Sequence, residues 1–279
     1  MFLLAQILPS AIVAMMVAAG VCGFALYLRK ERARGALAPV ALGLAYLSGH
    51  LMITGWVTFP PGDTTNWLPY FALTAAVLGA SCALVATNAW ARLLIFALVS
   101  AGALRLLLKP KFQYGWSLGE GWLWVGCLVC AFVLLAVILD ALGRRTATAN
   151  EMPAFVFITC AGTFGALMLS GSILLGQFAA VLGAAVFGSL LFAAWKVPLG
   201  RGIVPVFSLL PGALLVSGYF FAELPLTCAM LLAFAPALAL APIHASNKLL
   251  AFGIRFALVS TPAVVALVLA FRSSPPLSD

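Results

Sequence analysis

The chain has 279 residues, of which 65% are apolar and only 8% charged, with a net charge of +8. A soluble domain carries about 45–50% apolar and about 25% charged residues, so this charge is too sparse to cover a water-facing surface. A water-soluble globular enzyme is excluded, and the repeated apolar runs approach the ~20 residues that a helix needs to cross a bilayer core.

The first run covers residues 7–28. Basic residues follow it rather than precede it, the reverse of a cleavable signal peptide, so it reads as a retained membrane helix. Directly after it comes Arg29-Lys30-Glu31-Arg32-Ala33-Arg34. Such a cluster stays on the cytoplasmic side and sets the orientation of every later crossing. The second span is 36–57, and Pro60-Pro61-Gly62-Asp63 behind it is turn chemistry. Spans follow at 67–86 and 91–108, then the longest connection, 109–120. The fifth span, 121–143, ends at Arg144-Arg145, and the polar stretch 146–152 divides the chain into halves 1–145 and 152–279. Pro153 opens the sixth span, 153–169, at a position proline tolerates. The remaining spans are 173–195, 202–221, 225–243 and 249–271. The break before 225 rests on Glu223 and Pro225 alone.

This ten-span layout makes the chain an all-α, polytopic integral membrane bundle with no soluble domain and both ends outside. It places Arg29, Lys30, Arg32, Arg34, Arg92, Arg144, Arg145, Lys196, Arg201 and Lys248 inside, against Lys109, Lys111 and Arg272 outside. That asymmetry is what the positive-inside rule requires. The cationic residues mark helix ends and contacts with membrane lipid, and no nucleic-acid partner is expected. The bacterial cytoplasmic membrane is the expected location. Trp56, Trp67, Tyr70, Tyr114, Trp116, Trp122 and Trp124 gather at the outer boundary, as interfacial rings do.

Ala75-Ala76-Val77-Leu78-Gly79-Ala80 recurs as Ala179-Ala180-Val181-Leu182-Gly183-Ala184. Alanine-rich membrane helices generate such matches readily, so the repeat carries no argument. The six cysteines lie in or near apolar runs, where thiols pack as small hydrophobes. Cys127 and Cys130 have redox-motif spacing but lack the about four ligands of a zinc site. No metal, cofactor, glycine-rich phosphate loop or nucleophile with a base is apparent, and catalysis is not expected.

Ionisable groups at membrane depth are functional candidates by default. His50, in the outer half of the second span, suits proton relay or solute binding. The plainer account is a bond to a neighbouring helix. Arg255 lies nearly two turns inside the last span. Arg105 reads as a snorkelling side chain, and Asp140 as a partner for nearby basic groups. Prolines of the first five spans keep to ends and loops, whereas Pro211, followed by Gly212, then Pro236 and Pro262, enter the interiors of the last three. Interior proline removes a backbone hydrogen bond and kinks a helix, and the freed carbonyls can line a cavity. Gly162, Gly165, Gly183 and Gly188 are expected to let spans six and seven pack closely.

Two functions follow. One is a small-solute permease built around spans eight to ten, with His50, Arg255, Pro211 and Gly212 as substrate-binding candidates. Its polar cavity should be reached by one of these residues, and His50→Ala or Arg255→Ala should abolish uptake. The other is a non-catalytic subunit or scaffold packed against other membrane subunits, a solid bundle with those residues bonded or snorkelling.

Overall fold

The structure is a computed structural model that describes residues 2–25, 27, 31–56, 58–85, 88–145, 151–193, 201–243 and 247–273. The described residues are helical, with no strand among them. The helices are α1 (Phe2–Ala25), α2 (Glu31–Thr54), α3 (Leu68–Leu84), α4 (Ala89–Leu107), α5 (Lys109–Tyr114) and α6 (Leu118–Arg145). They continue with α7 (Glu151–Leu169), α8 (Ile173–Ala193), α9 (Val204–Phe221), α10 (Leu226–Phe234) and α11 (Lys248–Ser273). Short 3-10 turns cover Thr65–Trp67, Arg201–Ile203 and Ala235–Leu240. Arg29, Lys30, Lys196 and His244 lie outside the described residues.

The chain is an integral membrane bundle. Among the described residues, nine segments are long and apolar enough to cross a bilayer, and Leu226–Leu240 is a tenth, shorter apolar segment. The expected continuous span at 225–243 is instead α10 followed by the Ala235–Leu240 turn. The change comes at Pro236, which cannot donate a helix hydrogen bond. This broken element still crosses. Nine α-helical residues rise ~13 Å and six 3-10 residues ~12 Å, close to the ~30 Å core. An independent constraint agrees: Arg255 of α11 contacts Glu151 at the start of α7, so both helices begin on one face. Glu223, at φ 52°, and Pro225 make the turn between α9 and α10.

The 109–120 connection, expected as a loop, holds the helix α5. Phe112 on α5 lies against Gly121 at the start of α6, where any Cβ would strike its ring. Arg105 stands 4.0 Å over the Phe112 ring, a cation–π contact at the end of α4 toward which its side chain was expected to snorkel. Trp116 stacks on Trp124 at 6.1 Å, and both meet Phe220 edge-on at the far end of α9.

Apolar side chains gain little from leaving lipid for one another, so small residues that admit a neighbour's backbone decide which helices meet. α2 and α3 run antiparallel, with Gly43 on Ala72 and Ala76, and Gly79 on Pro39. Gly79 also meets the carbonyl of Gly202 at the entry to α9. α1 and α8 run parallel, with Gly188 on Met15 and Ala18. Gly49 of α2 fits between Ser10 of α1 and Val181 of α8, which joins the first three of these helices to α8. The glycines expected to join spans six and seven do so only at Gly183, beside Cys160 of α7. Gly162 meets Leu232 and Ala263, Gly165 meets Leu267, and Gly188 meets α1, because α7 is wedged between α8 and α11. α9 is the central helix, buried from Val204 through Gly218.

Candidate functional site

The four sequence candidates occupy three separate places. His50 is fully buried among α1, α2 and α8. Its imidazole stacks on Phe178 at 4.1 Å and tilts against Tyr46 at 5.8 Å. Neither ring nitrogen has a hydrogen-bond partner among the described residues, and neither does the Tyr46 hydroxyl. The expected bond to a neighbouring helix is therefore replaced by ring stacking.

Arg255 sits at the α7–α11 contact, where its Nη1 donates to Glu151 Oε2 at 3.0 Å. The Phe155 and Phe252 rings stack beside this pair at 6.0 Å. Sequence reading missed Glu151 because it was assigned to the loop before Pro153. The signal was present: an acidic residue two positions before a proline suits the first turn of a helix.

Pro211 and Gly212 lie inside α9, which continues through both. A Cβ on Gly212 would meet the Phe132 ring of α6 at 2.6 Å. Gly212 also borders an apolar cavity of about 80 Å³ between α6, α9 and α10.

Charge and space coincide elsewhere. A cavity of about 140 Å³ lies where the end of α3, the start of α4, the end of α6 and the start of α9 meet. α4 leans on α6 and touches α3 sparsely, and that splay creates the opening. Arg92, in the first turn of α4, lines it together with Asp140 and Arg144 of α6. Asp140 and Arg144, one helical turn apart, form an ion pair, the partnership expected for Asp140. The Nε of Arg92 is buried and has no hydrogen-bond partner among the described residues. Leu78, Phe96, Ala136, Val137 and Pro205 supply apolar wall, and Cys82 contributes a thiol. Asn88 caps α4, accepting a hydrogen bond from the Trp90 N–H at 3.4 Å, so the positive end of that helix dipole is fixed beside the cavity.

Sequence reading placed Arg92, Asp140 and Arg144 correctly at one face but did not join them. They come from helices brought together only by tertiary packing. Cys127 and Cys130 are exposed on α6. No group of three or more His, Cys, Asp or Glu side chains able to hold a metal occurs among the described residues. Compared with known protein families, curated proteins and solved structures, the chain shows no significant match.

Proposed function

We propose that the protein is a membrane carrier for a small solute, with the Arg92–Asp140–Arg144 cavity as its entry site. The observation that carries this reading is a cavity lined by Arg92, Asp140 and Arg144 on a wall of apolar side chains, with the Arg92 Nε buried and unbonded among the described residues. An unsatisfied guanidinium nitrogen at such depth is costly unless something binds it. A second cavity, beneath Trp124 and Tyr219, lies further along the same α6–α9 seam. Pro211 and Gly212 stand on that seam, within the continuous helix α9. The stacked Trp116, Trp124 and Phe220 stand at the far end of that seam.

By the positive-inside rule the basic face is cytoplasmic and both ends of the chain lie outside, in a bacterial cytoplasmic membrane surrounded by its lipid. The test is uptake into proteoliposomes of a panel of anionic, zwitterionic, neutral and cationic solutes of about ten heavy atoms or fewer, a size matched to the cavity. At least one solute should accumulate above protein-free vesicles, and Arg92→Gln should lower its uptake. Failure of every solute to move would overturn the carrier reading.

The burial of His50 and the ion-paired state of Arg255 favour a second reading, a non-catalytic subunit packed in a larger membrane complex. It requires a second chain in fixed stoichiometry when the protein is extracted from its own membrane, together with no uptake. Native mass spectrometry separates the two.

A further inference from the structure

We infer that the cavity between α3, α4, α6 and α9 binds a small organic monoanion, an oxyanion head on an apolar body of about six carbons. This deepens the carrier reading and rests on the same cavity.

Among the described residues, three charged side chains line the cavity: Arg92, Arg144 and Asp140. Asp140 is engaged by Arg144 through their ion pair, so Arg92 is the surplus positive charge among the described side chains, which suits a ligand of one negative charge. Arg92 lines the cavity, its Nε is buried without a partner among the described residues, and a guanidinium edge is suited to carboxylate or phosphate oxygen. Both α4 and α9 present their N-terminal ends to the cavity, so their dipoles add to the same preference. A cation would meet these dipoles and two arginines, with the single carboxylate already engaged.

A dry cavity of ~150 Å³ holds one benzene ring. The present cavity is about 140 Å³, and Leu78, Phe96, Ala136 and Val137 give it an apolar wall. One ring or a short chain therefore fills this volume, with the head group toward its open side. Inorganic anions would leave that wall unused, and long acyl chains would exceed the volume.

An oxyanion head on an apolar body can come from a free organic acid or from a membrane lipid. The experiment is calorimetric titration of the purified full chain in phosphatidylcholine nanodiscs. The probes are benzoate, its neutral isostere benzamide, and inorganic phosphate. Benzoate should bind at least about ten-fold more tightly than either, because a charge-assisted bidentate contact is lost in one and apolar contact in the other. Arg92→Gln should weaken benzoate about ten-fold or more and leave benzamide unchanged. Arg92→Lys, which keeps the charge but not the fork, should fall between. Benzoate binding that disappears in phosphatidylglycerol nanodiscs keeps the oxyanion site and identifies a lipid phosphate as its source. Equal binding of benzoate and benzamide by the wild-type chain, absence of benzoate binding in phosphatidylcholine, or an Arg92→Gln variant that binds benzoate as tightly as wild type would overturn the inference. Benzoate binding without any solute uptake would overturn the carrier reading alone. Uptake of a cationic or neutral solute without benzoate binding would overturn this inference alone.

Discussion

Arg255 and Glu151, 104 residues apart in the chain, meet at 3.0 Å and tie the start of α7 to the second turn of α11. Glu151 is nearly buried, with 8% of its side chain exposed against 20% for Arg255. Removing one partner takes this contact from a charge that stays in a low-dielectric setting, which costs more than losing both. Glu151→Gln and Arg255→Gln are each expected to destabilise by roughly 1–3 kcal/mol after allowance for the exposed fifth of Arg255. The double variant should recover much of that. A double-mutant cycle on thermal unfolding in detergent reads the coupling. Single variants as stable as wild type would remove the pair from any account of how these helices are held.

Gly79 is the tightest point of the α3 contact, and no side chain fits there. A Cβ would run into the carbonyl oxygen of Gly202 and lie 2.8 Å from Cβ of Pro39. The Gly202 carbonyl belongs to backbone and cannot swing away. Gly79→Ala is expected to cost about 1–3 kcal/mol, the usual penalty for overpacking. Gly102→Ala on α4 is the matched control, since nothing lies within 4 Å of its Cβ position. It should be neutral or stabilising by up to about 1 kcal/mol, from helix propensity alone. Equal melting temperatures for the two variants would contradict the close approach of α3 to the entry of α9.

Much of the fold was legible because lipid imposes a simple rule: each crossing must satisfy its own backbone and show apolar side chains for about 20 residues. Hence even the break at Glu223 and Pro225 lies where those two residues place it. Partners across helices were not legible. Gly162 and Gly165 have the spacing of a close contact, but nothing in the chain says whether α8 or α11 will fill it. Arg92 and Asp140 read as ordinary boundary charges, and only the splay of α4 from α3 turns them into the lining of one cavity. His50 was conspicuous as a lone imidazole, yet its Phe178 partner looked like any other apolar residue.

His50 offers a direct check on whether that conspicuousness has meaning. With neither ring nitrogen bonded among the described residues, the imidazole bears a desolvation cost of roughly 1–3 kcal/mol. Its ring stack on Phe178 supplies the compensating contact. His50→Phe keeps a ring against Phe178 and removes the unsatisfied nitrogens, so folded yield and melting temperature should match or exceed wild type. His50→Ala leaves a void and should cost about 2–4 kcal/mol. Uptake measured on the folded His50→Phe protein then separates packing from chemistry. Retained uptake is expected, because His50 does not line the Arg92 cavity. Abolished uptake in a fully folded His50→Phe variant would return the imidazole to the transport path.

Cys82 reports on both the charge of the cavity and the face at which it opens. Its thiol is half-buried in the cavity lining, to which Arg92 also belongs. In a variant that keeps Cys82 and replaces Cys22, Cys127, Cys130, Cys160 and Cys228 with Ala, an anionic methanethiosulfonate should react faster than a cationic one. A difference on the order of ten-fold is the scale that local electrostatic focusing produces, and it should shrink on adding Arg92→Gln. Sidedness follows from the positive-inside rule: impermeant reagent should leave Cys82 untouched in intact cells and modify it in inverted membrane vesicles. Labelling in intact cells would reverse the assigned orientation. Faster reaction with the cationic reagent would place Asp140, not Arg92, in control of the cavity.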